Sequence, residues 1–223
     1  MNASISPVNR SKDEARRYYN RLSHWYDLIT GSEAPFRQRG LAILSAQPGE
    51  RVLEIGFGTG ECLVALAEAV ETKGYVYGIE LSDGMIAQAQ QRLAKSGLEG
   101  RTSLLLADGA QAPFSASSFD AILMIFTLEL FDTPEIPHVL QQCRRLLRPR
   151  GRLSVVSLVK TEYPGLAERI YEWFHQRMPV AVDCRPIKAQ ESLRRAGFAI
   201  QQVVHESMWG LPVESILARN TSI

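Results

Sequence analysis

Two rhythms of apolar residues run along the chain. Short apolar-rich stretches recur at Arg51–Ile55, Tyr75–Glu80, Thr102–Leu106, Ala121–Phe126 and Leu153–Val159. Each is bounded by turn residues, as buried strands are. Between them the spacing turns helical. Leu63, Leu66, Ala67 and Val70 share one face of a helix over 61–70. A second helix runs from Met85 to about Ser96, and Ile136, Val139, Leu140, Cys143, Leu146 and Leu147 stripe a third over 134–147. The stretch Ala121–Phe126 has no polar alternation, which marks a central strand buried on both faces. Strands alternating with helices predict a doubly wound α/β fold with a mostly parallel sheet.

The rhythm changes at both ends. After the turn Arg148–Gly151 and the fifth strand, Leu166, Ile170, Trp173, Phe174 and Arg177 predict an extra helix to Met178. A turn over 182–186 and a short helix Lys188–Ala196 follow. Phe198–Glu206 and Val213–Ala218 then come with no helix between them, so they pair as a hairpin at one sheet edge. The total is seven strands, with one antiparallel strand near the edge. At the other end, Ala15, Tyr18, Tyr19, Leu22, Tyr26 and Ile29 predict a helix, and Phe36–Ala46 a second. Tyr19, His24, Trp25 and Tyr26 cannot all face one core, which suggests a lid over a ligand mouth. The expected division is a disordered tail at 1–10, a helical lid at 11–47, and an α/β domain at 48–223 with a substrate-side insertion at about 161–187.

Composition narrows the class. The chain has 223 residues, 45% hydrophobic and 22% charged, with a net charge of +1. This fits one large globular domain. It leaves no basic stripe for nucleic acid; the densest cluster, Arg144 to Arg152, ends a helix. Cys62, Cys143 and Cys184 are far apart and form no C-x-x-C, so neither a metal site nor a disulfide framework is expected. Such cysteine usage suits the cytoplasm. No apolar run approaches the roughly 18 residues of a membrane span.

The chemistry begins at Val52-Leu53-Glu54-Ile55-Gly56-Phe57-Gly58-Thr59-Gly60. Strand, glycine turn and helix start make a cradle in which a ligand can approach main chain. A dinucleotide fingerprint would place its third glycine at position 61. Glu61 stands there, and an acid beside a pyrophosphate is unfavourable. Glu80, ending the second strand, can accept from both hydroxyls of a ribose, whether of NAD or of another adenosine. Asp108-Gly109, after the third strand, can meet an adenine 6-amino group and a ring nitrogen. Met85 either packs on the adenine face or fills a helix core.

Glu54, the Gly56–Gly60 turn, Glu80, Asp108 and the Leu147–Gly151 turn resemble, in order and spacing, the motifs of the class I S-adenosylmethionine (SAM)-dependent methyltransferases. Gln111-Ala112-Pro113-Phe114 through Phe119-Asp120 resembles the linker that precedes their fourth strand. The resemblance covers about residues 18–160 and lies nearest the ubiquinone/menaquinone-biosynthesis branch. It implies SAM as cofactor, with S-adenosylhomocysteine as product. It further implies cofactor contacts from Tyr19, Tyr26, Glu54, Gly56, Phe57, Gly58, Gly60, Glu80, Leu81, Met85, Asp108, Gly109 and Phe126. Two departures leave the acceptor open. Phe126-Thr127-Leu128-Glu129-Leu130-Phe131 replaces the quinone enzymes' G-L-R-N-type sequence, and the C-terminal pattern differs.

Methyl transfer from a sulfonium is chiefly positioning, and a base is required only where the nucleophile starts protonated. Glu129, beyond the fourth strand, and His24, on the lid, are the candidate catalytic residues. Thr127, Glu129, Tyr163, Tyr171, His175 and Arg185 are the candidate acceptor-binding residues. The aromatic lid and inserted helix point to a small lipophilic or aromatic acceptor. A phospholipid or amine acceptor is the alternative, with peripheral membrane contact in the lipid case. An NAD-dependent oxidoreductase and a non-catalytic SAM-binding protein are the readings from other classes. No nucleic-acid partner is expected, and the chain is expected as a monomer or homodimer.

Overall fold

The computed structural model describes residue 8 and residues 11–23, 26, 31–163, 165–177 and 184–221. The expected tail over 1–10, apart from Val8, and the lid residues His24 and Trp25 lie outside the described residues. Seven strands form one sheet in the order β3-β2-β1-β4-β5-β7-β6. They are β1 (Arg51–Ile55), β2 (Tyr75–Glu80), β3 (Thr102–Leu106), β4 (Phe119–Ile125), β5 (Leu147–Leu158), β6 (Phe198–Met208) and β7 (Leu211–Asn220). β1 pairs in parallel with β2 and β4, β2 with β3, and β4 with β5. β7 runs antiparallel to both β5 and β6, one place in from the edge. The expected sheet is therefore the one formed. Strand order reverses between β1 and β4, which opens a crevice at their carboxyl ends.

The helices are α1 (Lys12–Leu22), α2 (Ala34–Leu44), α3 (Glu61–Ala69), α4 (Asp83–Lys95), α5 (Ile136–Leu146), α6 (Leu166–Arg177) and α7 (Ala189–Arg195). Alternate residues of each central strand feed opposite core layers. Leu53 and Ile55 pack with Val139, Leu140 and Leu193 under α5 and α7. Val52 packs with Leu63, Leu66 and Leu93 under α3 and α4. Each fully buried Leu or Val contributes roughly 1.5–3 kcal/mol. α2 lies close on the sheet: a Cβ on Gly40 would come within 2.9 Å of Val156 Cγ2.

Two expectations need correction. The Arg148–Gly151 turn is part of a longer β5 that starts at Leu147. The strand carries a register shift opposite Phe119 and Ala121 instead of breaking. The Asn220 side-chain amide holds the bend by donating to the carbonyls of Arg144, Leu147 and Arg148. The N-terminal helix, expected from Ala15 to Ile29, starts earlier at Lys12, ends at Leu22 and buries no residue of its own. It starts with a capping box, Ser11 accepting from the Glu14 N–H while the Glu14 carboxylate accepts from the Ser11 N–H. Polar contacts dock it: the Asn20 Oδ1 accepts from the Ser82 hydroxyl at 2.6 Å and from the Gly84 N–H at 3.0 Å.

Candidate active site

At the end of β1 the chain turns through Gly56, Gly58 and Gly60, with φ of 72°, 53° and 84°. A Cβ at Gly56 would lie 2.4 Å from Thr127 Cγ2, and one at Gly60 would lie 2.8 Å from Ala89 Cβ. The turn is thus fixed between β4's end and α4. At Gly58 the nearest neighbour is the Tyr26 ring, 3.7 Å from where a Cβ would sit. Tyr26 in turn packs edge-on to Tyr19, with ring centroids 6.2 Å apart. The lid aromatics therefore stand over the glycine turn.

A cavity of about 400 Å³ opens beyond the strand ends. Tyr19, Tyr26, Gly56, Gly58, Glu80, Leu81, Met85, Asp108, Gly109, Phe126 and Thr127 all line it. Its β2 side is polar. The Glu80 carboxylate accepts from the N–H groups of Gly58 (3.1 Å), Leu81 (2.8 Å) and Ser82 (3.0 Å). Burial still pushes its pKa upward, against those donors. Asp108 accepts from the Ala110 N–H at 2.9 Å through one oxygen and pairs with Lys12 through the other. The β4 side is apolar, with Ile125, Phe126, Leu130 and Phe131. Phe126 takes a φ of 48°, which turns the chain out of β4 toward Thr127.

Glu54 faces a smaller adjoining recess, shared with Arg37, Gly56, Phe57 and Gly58. Its carboxyl is buried, and Oε2 has no hydrogen-bond partner among the described residues. Burial, then the Glu80 charge, push its pKa well up, while Arg37 opposes them. A buried acid with an open oxygen, beside a glycine turn that excludes any Cβ, fits the ammonium group of SAM. Phe57 lines the recess, and its ring packs on Gly78. Gly60 caps α3 from the left-handed region.

The acceptor-side candidates are placed less uniformly. Thr127 lines the cavity and donates to the Ile125 carbonyl at 2.9 Å. Glu129 lies behind that wall, fully buried, accepting from the Leu158 N–H at 3.3 Å. Burial pushes its pKa up to about 8. Arg185 is also buried and donates to the Thr133 hydroxyl at 3.0 Å and to the Phe131 carbonyl. Tyr171 donates to the Cys184 carbonyl at 2.8 Å, and His175 is buried on α6. None of these four lines the cavity. Tyr163 points to solvent, 90% exposed.

The sequence reading missed three residues. Lys12 bridges Asp108 and Glu135, both at 2.6 Å. Asn20 anchors the lid helix on α4. Arg37 pairs with Glu61 at 2.7 Å at the mouth of the Glu54 recess. All three come from the lid segment, where no motif spacing marks them; an isolated polar residue on a polar helix carries no signal of its partner.

Comparison with known proteins agrees with this geometry. The profile of the methyltransferase-domain family matches residues 52–151. The chain is 30% identical over 211 residues to nocamycin O-methyltransferase of Saccharothrix syringae, covering 85% of this chain and 74% of that protein. It is 28% identical over 179 residues to demethylmenaquinone methyltransferase of Geobacillus kaustophilus, covering 78% and 75%. Among solved structures, a SAM-dependent methyltransferase from Aquifex aeolicus superposes with a TM-score of 0.62 at 22% identity, over 82% of this chain and 88% of that one. With the cradle, the orphaned acid and the sheet order in agreement, the chain belongs to the class I SAM-dependent methyltransferases, near their quinone-biosynthesis branch.

Proposed function

We propose that the chain methylates a small lipophilic or aromatic molecule by in-line displacement. The observation that carries the acceptor class is the apolar wall beyond β4, where Ile125, Phe126, Leu130 and Phe131 face the cavity beside the Thr127 hydroxyl. Bound SAM supplies an electrophilic methyl group on a positively charged sulfur. The chain's part is to orient it and to exclude water. In this reading Glu54 accepts from the ammonium and Arg37 holds the carboxylate. Glu80 takes the ribose hydroxyls and Asp108 the adenine amino group. Met85 and Leu81 flank the adenosine, and Tyr19 and Tyr26 cover it.

His24, on the lid, is proposed as the base for an acceptor whose nucleophile starts protonated. Glu129 is proposed as a positioning residue, setting the 128–133 wall from behind together with Arg185. Tyr171 and His175 support that wall from α6. The names of the two relatives speak of O-methylation and of a demethylmenaquinone, which favours a hydroxyl or ring-carbon acceptor. A labelled-methyl assay with quinol, phenol, amine and phospholipid acceptors tests this. Transfer to a quinol or phenol is expected; transfer only to an amine or phospholipid would refute the reading.

A further inference from the structure

α6 is amphipathic in the opposite sense to a helix that packs on a core. Its apolar side chains point outward: Leu166 is 75% and Trp173 50% exposed, and Ile170 and Phe174 are exposed with them. The spacing 166, 170, 173, 174 makes one stripe. Its acids point inward. The buried Glu168 carboxylate accepts from the Thr161 N–H at 3.2 Å and from its hydroxyl at 2.6 Å, and Glu172 pairs with Lys160. The charges left on the outer side of the helix are Arg169 and Arg177, the latter 5.0 Å over the Trp173 ring.

The tip of the β6–β7 hairpin adds to this face. Trp209 is 70% exposed and holds a φ of 53°, followed by Gly210 at 82°. Positive φ at both turn positions suits Asn or Gly and strains a bulky aromatic. The tip abuts α6, since a Cβ at Gly210 would lie 3.2 Å from Ala167 Cβ. A strained, solvent-facing tryptophan thus stands beside an apolar stripe whose own charges are all basic.

We propose that this face, formed by the outer stripe of α6 and Trp209, docks on an anionic lipid surface. Tryptophans and leucine-type side chains flanked by arginines are what partition into a headgroup layer, and the arginines complement anionic lipid. A second copy of the chain fits less well: a two-fold contact would gather both copies' Arg169 and Arg177 into one patch, with no acid on the outer side of the helix to pair with them. The inference deepens the proposed function and rests on its lipophilic acceptor. The inner side of α6, through Ala167 and Tyr171, packs with the cluster that contains the cavity-wall residue Phe126. Docking would bring the acceptor side of the cavity toward the lipid.

The test is co-sedimentation of the full chain with vesicles of phosphatidylcholine alone and of phosphatidylcholine mixed with phosphatidylglycerol. Binding to the mixed vesicles is expected, with little to the neutral ones. The triple variant Ile170→Ser, Trp173→Ser, Trp209→Ser should weaken it by about tenfold or more. Arg169→Glu with Arg177→Glu should remove the preference for anionic lipid. Both variants should keep wild-type SAM affinity by calorimetry, which shows that they fold. The proposal is overturned if the wild type binds neither vesicle, or if the triple variant binds as the wild type does. It is also overturned if the face proves to hold a second copy, shown by a lipid-free dimer that the triple variant dissociates. Vesicle binding with no transfer to any lipophilic acceptor would sink the acceptor reading and leave the docking standing.

Discussion

Lys12 Nζ lies 2.6 Å from Asp108 Oδ2, although the two residues are 96 positions apart in the chain. Lys12 belongs to the lid helix, and Asp108 ends the loop after β3 on the adenosine side of the cavity. The same ammonium reaches Glu135 at 2.6 Å, so one cation joins lid, β3 loop and the approach to α5. Burial lowers the Lys12 pKa, and the two carboxylates more than reverse this. The N-terminal helix is thus tied down at the rim of the cavity that Lys12, Asp108 and Glu135 all line.

The first prediction concerns this tie. Lys12 is 44% exposed, so solvent screens the pair and its worth is at most about 1 kcal/mol. Lys12→Met should weaken SAM binding by no more than about fivefold. The wild type should lose affinity as salt rises, and the variant much less. Calorimetry across a salt series reads both; equal salt dependence in the two proteins would refute the tie.

The second concerns Glu54. Its pKa is raised in the free protein by burial and by Glu80, and an ammonium contact would lower it. Between the two values, binding SAM must release a proton. Affinity should therefore fall as pH drops through the raised pKa. Binding enthalpies in buffers of different ionisation enthalpy should differ for the wild type and coincide for Glu54→Gln.

A third follows from Glu129, whose pKa of about 8 stands above its ordinary carboxyl range. The folded state holds this proton to higher pH than the unfolded state does. Stability is therefore lost as pH rises from the unfolded value toward 8. Glu129→Gln removes that loss. The variant should come near the wild type at pH 5 and exceed it at pH 8.5 by up to roughly 4 kcal/mol, measured by urea denaturation. Turnover should fall more than SAM affinity if Glu129 positions the wall.

Gly56 supplies the fourth. A Cβ there meets Thr127 Cγ2 at 2.4 Å on a backbone at φ 72°. Gly56→Ala should lower SAM affinity by at least about tenfold. Gly56→Ala combined with Thr127→Ala, which removes both the methyl and the hydroxyl oxygen 2.6 Å from that Cβ, should recover part of it. Absence of any recovery would place the cost in φ alone.

Much of this was readable from the chain. β1, β2 and β3 begin and end where the apolar runs do; β1 and β2 are mostly buried, while β3, an edge strand with no buried residue, is delimited by Gly100 before it and Asp108-Gly109 after it. The cavity-lining places of Glu80 and Asp108 were readable because strand ends converge, so the two need only chain order to be brought together. The acceptor side was not. Glu129 and Arg185 carry the residue types of a reactive site, yet tertiary packing turns both behind the cavity wall. The inserted helix was read as pointing to a lipophilic acceptor, but α6 turns Trp173 and Phe174 to solvent. The docking of α1 was not legible either: it rests on Asn20 and Lys12, single polar contacts with no periodicity to announce them.

The Arg185 side chain reaches across to the Phe131 carbonyl and the Thr133 hydroxyl, and so pins the segment before α7 to the loop after β4. The glycine cradle shares none of these bonds. Yet the Phe131 ring, whose carbonyl Arg185 holds, lies 3.3 Å from where a Cβ on Gly109 would sit, so one guanidinium far along the chain helps to set both sides of the cavity at once.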